Sequence, residues 1–320
     1  MELYPLKSVP VFKSRIWGGQ TLRDAFGKDL PAGEKIGESW EVADLPEGKS
    51  TIGNGSFEGQ SLGEVFRRHT QELAGLPASS LGEQGKAFPL LIKFLDAQQV
   101  LSVQVHPDPE TCRRMGKGDS KTECWYIIQA RPGAVIYKGL KKGVTRDQFA
   151  KAIREGTAAE LLAAVPVSVG ECHFIPAGTA HAIGTGLLIA EVQTPSDTTY
   201  RVFDWNRVDE SGKPRQLHIE EAMESIHFDI TPDKLPVTKV GRLVDSDYFK
   251  VDKGHRAEGG ELFLSRGVMR VLIFLSGDGT ILSRQAEPVD FAAGDTLIIP
   301  AAFEGAVRFS DDTEYLIVTV

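Results

Sequence analysis

Short apolar runs, separated by turn residues, are the feature that most restricts what this chain can fold into. Phe88–Phe94, Leu101–His106 and Leu187–Gln193 are each six or seven residues long, the usual length of a β-strand. Leu101–His106 alternates apolar and polar residues strictly, and Pro107 ends it. The 320 residues include 33 glycines and 17 prolines, which supply the turns between strands. The pattern predicts a mainly β fold and argues against a helical bundle.

Two segments far apart in the chain share one pattern. Val167–Ala177 and Val289–Ala301 both run as strand, glycine with an acidic residue, strand, and Pro-Ala. This weak repeat predicts two β-barrels of similar construction. Between them, residues 207–236 are polar and end in prolines, so we expect a first region over 1–236 and a second β-domain, without metal ligands, over 237–320.

A few short helices and loops interrupt the predicted strands. Apolar residues recur near a 3.6 period between Gly59 and Gly75, which predicts a helical insert near 59–75. Thr145 with Gln148 is typical of a helix N-terminus, and it predicts a second helical insert near 145–164. We expect Arg15–Gly19 and Pro77–Gly85 to be loops.

Composition excludes several classes of protein. No apolar run approaches the ~18–20 residues of a membrane span, and the N-terminus lacks the pattern of a secretion signal. The charge balance, 36 − 44 = −8, argues against a nucleic-acid or anionic-membrane binder. Three cysteines at wide spacing, with no CxxC pair, argue against a disulfide framework or a thiolate zinc site. A cytoplasmic location is expected.

Four side chains have the types and positions of a metal site. Gln104 and His106 lie two residues apart in one strand and therefore share a face. Glu123 enters the next strand, with Lys121 on the same face, and His181 follows a Pro-Ala-Gly turn. The four candidates suit Zn²⁺ or another borderline divalent ion, although two histidines and a carboxylate are also the ligand pattern of non-heme iron.

Other charged and polar residues occur where strands are expected to be buried. Lys93 interrupts an apolar run, Ser102 shares a face with Gln104, and Glu191 ends an apolar stretch. Arg201 follows a Pro-Ser-Asp turn. A buried lysine is rare without a partner, so together these residues predict a polar cavity around the metal.

Four motifs, taken together, carry a family resemblance. They are Gln-Val-His-Pro-Asp at 104–108, Lys-x-Glu-x-Trp-Tyr at 121–126, Pro-Ala-Gly-Thr-x-His-Ala at 176–182 and Ser-Asp-x-x-x-Arg at 196–201. The chain resembles the short bacterial form of the type I mannose-6-phosphate isomerases, from Trp17 through Arg201 and more loosely to the C-terminus. The resemblance implies two cupin-type (jelly-roll) barrels, with one Zn²⁺ per chain held by Gln104, His106, Glu123 and His181.

The resemblance also implies an activity and roles for the remaining residues. The expected reaction interconverts mannose 6-phosphate and fructose 6-phosphate through an enediol. Arg201 corresponds to the family's catalytic arginine, Glu191 and Lys121 are the candidates for proton transfer, and Lys93, Ser102 and Trp17 are expected to bind substrate. We expect a phosphorylated hexose as partner, no nucleic acid or membrane, and a monomer or homodimer.

Two alternatives stay open. The first is an iron-dependent cupin oxygenase, which would need no cations to hold a phosphate, so Lys93 and Lys121 count against it. The second is a non-catalytic cupin that binds sugar phosphates, and the presence of every proposed catalytic group counts against that.

Overall fold

Strands dominate the computed structural model, which describes residues 3–75, 87–208, 212–284 and 286–320. The first fifteen strands are β1 (Leu6–Val9), β2 (Val11–Gly19), β3 (Ile36–Val42), β4 (Asp44–Leu45), β5 (Gly48–Lys49), β6 (Thr51–Ile52), β7 (Leu91–Ala97), β8 (Val103–Val105), β9 (Glu123–Ala130), β10 (Val135–Leu140), β11 (Leu162–Pro166), β12 (Cys172–Ile175), β13 (His181–Ile183), β14 (Leu187–Gln193) and β15 (Tyr200–Phe203). The others are β16 (Val237–Thr238), β17 (Arg242–Asp245), β18 (Lys250–Arg256), β19 (Glu261–Leu264), β20 (Arg270–Phe274), β21 (Asp278–Leu282), β22 (Val289–Ala292), β23 (Thr296–Ile299), β24 (Gly305–Phe309) and β25 (Thr313–Thr319). The predicted mainly β fold class is confirmed.

Helices are short and lie between strands. They are α1 (Thr21–Phe26), α2 (Leu62–Arg68), α3 (Thr70–Ala74), α4 (Pro109–Met115), α5 (Arg146–Glu155) and α6 (Ile219–Ser225), with 3₁₀ turns at Gly55–Phe57, Ala158–Leu161 and Pro232–Lys234. None of the helices in the described ranges is long and apolar enough to cross a membrane.

Four large sheets form two pairs. The first sheet pair consists of a seven-stranded sheet, β16-β12-β9-β14-β7-β3-β2, and a five-stranded sheet, β11-β10-β13-β8-β15. The second sheet pair consists of a seven-stranded sheet, β17-β18-β25-β20-β23-β1-β6, and a four-stranded sheet, β19-β24-β21-β22. Two antiparallel sheets per unit are consistent with a cupin-type fold.

The two seven-stranded sheets share one apolar cluster, because side chains alternate across each strand. On β9, Cys124 and Tyr126 join that shared cluster, while Trp125 and Ile127 belong to the interior of the first sheet pair. The second sheet pair mirrors this, since Ile273 joins the shared cluster and its neighbours on β20 fill a separate apolar interior. Each seven-stranded sheet is therefore covered on both faces.

One prediction about local structure is wrong: Arg15–Gly19 belongs to strand β2, which pairs with β3, and is not a loop. The second helical insert is not one continuous helix. Helix α5 ends at Glu155, because Gly156 takes the left-handed conformation that ends a helix, and a 3₁₀ turn follows at Ala158–Leu161. Leu162–Pro166 then pairs with β10 as a strand. The predicted loop over 77–85 lies outside the described residues.

Pairing also connects the two predicted regions. β1, near the N-terminus, pairs with β23 of the second sheet pair, and β16 pairs with β12 of the first. The division at residue 236 stays a prediction. Cys112, Cys124 and Cys172 are all free thiols, as expected.

Candidate active site

Two histidines and a glutamate converge inside the first sheet pair. His106 directly follows β8, Glu123 begins β9 and His181 begins β13, and all three are buried. His106 Nε2 lies 3.4 Å from Glu123 Oε2, and His181 Nε2 lies 3.4 Å from Glu123 Oε1. One ligand atom from each residue lies within 4.8 Å of the other two, so the three can hold one metal ion.

The histidine rings are oriented by backbone carbonyls. Nδ1 of His106 lies 2.9 Å from the carbonyl oxygen of Thr198, and Nδ1 of His181 lies 2.8 Å from that of Thr179. Because a carbonyl only accepts hydrogen bonds, Nδ1 carries the proton in each ring and Nε2 keeps its lone pair. Both Nε2 atoms are buried and have no hydrogen-bond partner among the described residues, as expected of nitrogens that ligate a metal.

The charge states also suit a metal. Burial lowers the pKa of His106 to about 3, helped by the charge of Lys121, and burial lowers the pKa of His181 as well. Burial opposes ionisation of Glu123, yet Lys121 and the histidines hold its pKa well below the ordinary value. Neutral imidazoles beside a carboxylate are the protonation states that a divalent cation requires.

Gln104 lies on the same face of its sheet as His181. The two residues are directly opposite each other across β8 and β13, and Arg201 of β15 is opposite Gln104 on its other side. Directly opposed residues project to one face. The sheet therefore brings a predicted ligand, Gln104, beside a metal-site histidine, while ligation by Gln104 stays a prediction.

Lys121 forms an ion pair with the metal-site carboxylate. Its Nζ atom lies 3.0 Å from Glu123 Oε2, and the side chain is buried. Burial opposes the charged form, but Glu123 and Glu191 raise the pKa of Lys121 above its ordinary value. Lys121 is therefore an ammonium.

Glu191 and Lys93 are opposite each other on β14 and β7, and on its other side Glu191 is opposite Trp125, two residues beyond Glu123 on β9. Lys93 Nζ lies 3.3 Å from Glu191 Oε1, and Trp125 Nε1 donates to Glu191 Oε2 at 2.9 Å. Burial and the charge of Glu123 raise the pKa of Glu191, although the two lysines oppose the shift. A buried carboxyl with a raised pKa is suited to accepting and returning a proton.

A guanidinium cluster lies at the start of β8 and along β15. Arg201 Nε donates to Ser102 Oγ at 3.3 Å, and Arg201 Nη1 donates to the carbonyl oxygen of Gln216 at 2.8 Å. Arg215 holds Asp204 through both oxygens, with Nε–Oδ2 2.7 Å and Nη2–Oδ1 2.6 Å, and Arg207 binds the same carboxylate. Burial and the charges of Arg215 and Arg207 lower the pKa of Arg201, although Asp204 opposes the shift. Three guanidinium groups beside one carboxylate leave this cluster with a net positive charge.

Trp17 is placed differently from its prediction as part of a loop. It lies in β2, is 4% exposed and packs in the apolar interior of the first sheet pair. Its role in binding substrate stays a prediction.

Sequence reasoning missed several residues that surround this site. Glu38 and Asp197 each have a carboxylate oxygen 4.0 Å from Lys93 Nζ. The signal that could have found Glu38 is its separation of two residues from Trp40, which places both on one face of a strand. Asp204 and Arg215 carried no such signal, because neither lies in a motif of the sequence.

Comparisons with known proteins agree on one family. Residues 3–122 match the family model for the catalytic domain of type I phosphomannose isomerase. A mannose-6-phosphate isomerase of Bacillus subtilis (strain 168) is 36% identical over 94% of both chains, and one of Streptococcus mutans is 37% identical over 94% of both. The crystal structure of the mannose 6-phosphate isomerase from Bacillus subtilis matches with a TM-score of 0.86 at 31% identity, covering 99% of this chain and 100% of that one.

Proposed function

Because this chain belongs to the type I mannose-6-phosphate isomerase family and is an isomerase, we propose that it interconverts mannose 6-phosphate and fructose 6-phosphate through an enediol. The observation that carries the proposal is the buried group of His106, Glu123 and His181 beside Glu191, Lys93 and Arg201. We also propose a cytoplasmic location, which the three free cysteines support.

We propose that one Zn²⁺ per chain is the resident metal. His106, Glu123 and His181 would hold it, with Gln104 as the fourth protein ligand. The orphaned Nε2 lone pairs and the neighbouring carboxylate fit a borderline divalent cation. When bound, such an ion polarises substrate oxygens and stabilises developing negative charge.

Proton transfer between C2 and C1 is the central step of an aldose–ketose isomerisation. We assign removal of the C2 proton of the open-chain aldose to Glu191, whose carboxylate is buried between Lys93 and Trp125. The electron pair of that C–H bond forms the C1–C2 double bond, and the aldehyde oxygen gains a proton, which gives the enediol. The enediol then loses the proton on its C2 hydroxyl, and the proton held by Glu191 returns to C1 to give the ketose.

Lys121 and Arg201 act on the oxygens in this scheme. An ammonium already paired with a carboxylate is a proton donor, so Lys121 is assigned the donation to oxygen rather than the removal from carbon. Arg201 is held by Ser102 and by the Gln216 carbonyl, and a fixed guanidinium stabilises negative charge on the enediol oxygens.

Substrate binding is assigned to Lys93, Ser102 and Trp17. Lys93 and Ser102 are proposed to hold the phosphate, whose binding energy orients the sugar. Both are buried, so the phosphate would be largely withdrawn from water.

An assay of fructose 6-phosphate formation from mannose 6-phosphate tests the function directly. The purified protein should turn over, lose activity with a chelator and recover it when Zn²⁺ is returned. Protein that contains its metal and forms no fructose 6-phosphate would refute the isomerase. Full activity after complete metal removal would refute the role of the metal site in the reaction.

A further inference from the structure

Lys93, the proposed phosphate ligand, is already surrounded by negative charge. Its ammonium lies 3.3 Å from Glu191 Oε1 and 4.0 Å from both Glu38 Oε2 and Asp197 Oδ1. Three carboxylates beside one ammonium leave a net negative environment, which repels a phosphate dianion. Stable phosphate binding at this end of the site therefore requires another cation.

Arg15 is the next cation along this chain of contacts. Its Nε atom donates to Glu38 Oε1 at 2.7 Å, while Trp40 Nε1 donates to Glu38 Oε2 at 2.6 Å. Burial would raise the pKa of Glu38, but the charges of Lys93 and Arg15 and the two hydrogen bonds lower it to about 2. Glu38 is thus ionised near neutral pH and lies between Arg15 on one side and Lys93 on the other.

The structure fixes the stem of Arg15 as well as its Nε atom. A Cβ atom added to Gly37 would lie 2.6 Å from Arg15 Cβ and 2.8 Å from its Cγ, so only glycine leaves room for this side chain. Of the remaining guanidinium nitrogens, Nη1 makes one long contact of 3.4 Å with the carbonyl oxygen of Ser14. Nη2 has no partner within the part of the chain that the structure describes, which leaves donors for a ligand.

Exposure increases along the series from Glu191 to Arg15. The side chains of Glu191 and Lys93 are 5% and 4% exposed, that of Glu38 is 11% and that of Arg15 is 36%. An open-chain hexose 6-phosphate reacts at C1 and C2 and carries its phosphate at the opposite end. With C2 beside Glu191, the phosphate would extend toward the more exposed end of this series.

We propose that Arg15 is a further substrate-binding residue, which binds the phosphate of the sugar phosphate together with Lys93 and is held in position by Glu38. A guanidinium binds phosphate through two parallel hydrogen bonds, which an isolated ammonium does not provide. The inference rests on the proposed isomerase function, because that function places the phosphate at the end of the substrate away from Glu191.

Steady-state kinetics of R15Q with mannose 6-phosphate, and inhibition by inorganic phosphate, test this role. Loss of a charge-assisted contact should raise KM and the inhibition constant of phosphate by about 10- to 100-fold. The kcat value should stay within about threefold of the unaltered enzyme. R15K keeps the positive charge but lacks the planar guanidinium, so its KM and its phosphate inhibition constant should lie between those of R15Q and the unaltered enzyme. R256Q makes the same change at an exposed arginine on β18 of the second sheet pair, and it should change neither constant.

Two results would overturn the inference. One is an R15Q enzyme with unchanged KM and unchanged inhibition by phosphate. The other is a fall in kcat alone, which would show that Arg15 acts only through Glu38 and Lys93. If R15Q does not fold, R15K decides, because an unchanged phosphate inhibition constant in R15K contradicts the requirement for a guanidinium. If the unaltered protein forms no fructose 6-phosphate, the proposed function fails. Calorimetric titration with inorganic phosphate then tests Arg15 separately, because equal affinity of R15K and the unaltered chain for phosphate would contradict the inference.

Discussion

Glu191 Oε1 lies 3.3 Å from Lys93 Nζ across the ladder between β14 and β7, and both side chains are buried. Burying either charge alone would destabilise the fold, and the opposite charge of the partner offsets this desolvation penalty. The second oxygen of Glu191 accepts from Trp125, so the carboxylate is held at two points. A proton-transfer group that is fixed in this way needs little rearrangement when substrate binds.

Replacing the proposed base should therefore affect turnover more than binding. E191Q keeps the size of the side chain and can still accept from Trp125, but its amide cannot take a proton from carbon. We expect kcat to fall by about 10²- to 10⁴-fold, with KM within a few-fold of the unaltered enzyme. E258Q, at an exposed glutamate of the second sheet pair, is the matched control and should leave both constants unchanged. An E191Q enzyme with normal kcat would exclude Glu191 as the base.

Loss of one metal-site histidine should remove the metal and the activity together. H106A deletes a buried ligand nitrogen, Nε2, that faces Glu123, and the three remaining proposed ligands cannot retain a borderline divalent ion as tightly. We expect metal content per chain, measured by elemental analysis, to fall several-fold in parallel with turnover. H255A alters an exposed histidine far along the chain and should keep both. Full metal content in H106A would contradict the ligand assignment.

The acid stability of the protein should depend on Glu38. Its pKa is about 2 in the folded chain against 4.5 ordinarily, so its ionised form stabilises the fold above about pH 4.5, and this stabilisation is lost as the pH falls toward 2. The contribution is on the order of 3 kcal/mol. In denaturant titrations across that range, E38Q should show a flatter decline in the free energy of unfolding. Curves of equal slope for the two proteins would contradict the shift.

Asp204 should stabilise the guanidinium cluster. Its buried carboxylate binds Arg215 through both oxygens and also binds Arg207. D204N removes the charge and leaves the arginines with weaker acceptors, so we expect the free energy of unfolding to fall by about 2 kcal/mol. D247N, at an exposed aspartate, serves as the control for the same chemical change and should be nearly neutral. Denaturant titration measures this free energy, and an unchanged value in D204N would show that Asp204 is dispensable for stability.

Residues separated by two positions were the easiest to place from the sequence. The alternation in Leu101–His106 correctly placed Ser102 and His106 on one buried face, because side-chain direction in a strand follows from the period of two. Motifs of the resembled family then identified the metal group, and the structure brings its two histidines and glutamate together.

Contacts between distant strands could not be predicted in the same way. Arg15 lies in a segment with two glycines, which favoured a loop, yet it belongs to β2, and its side chain binds Glu38 of the neighbouring strand β3. The three carboxylates around Lys93 come from two distant parts of the chain, Glu38 from one and Glu191 and Asp197 from the other. Secondary-structure propensity along the chain carries no information about such long-range contacts, because they depend on the order of strands within the sheet.

Strand β9 directs Glu123 toward the metal group and Cys124 and Tyr126 into the cluster shared with the second sheet pair. A chain shortened at residue 236 would thus expose to water the reverse side of the strands that carry Glu123, Glu191 and Lys93. The second sheet pair is for this reason needed to cover the sheet that carries the reactive groups. The two sheet pairs should therefore unfold as a single cooperative unit.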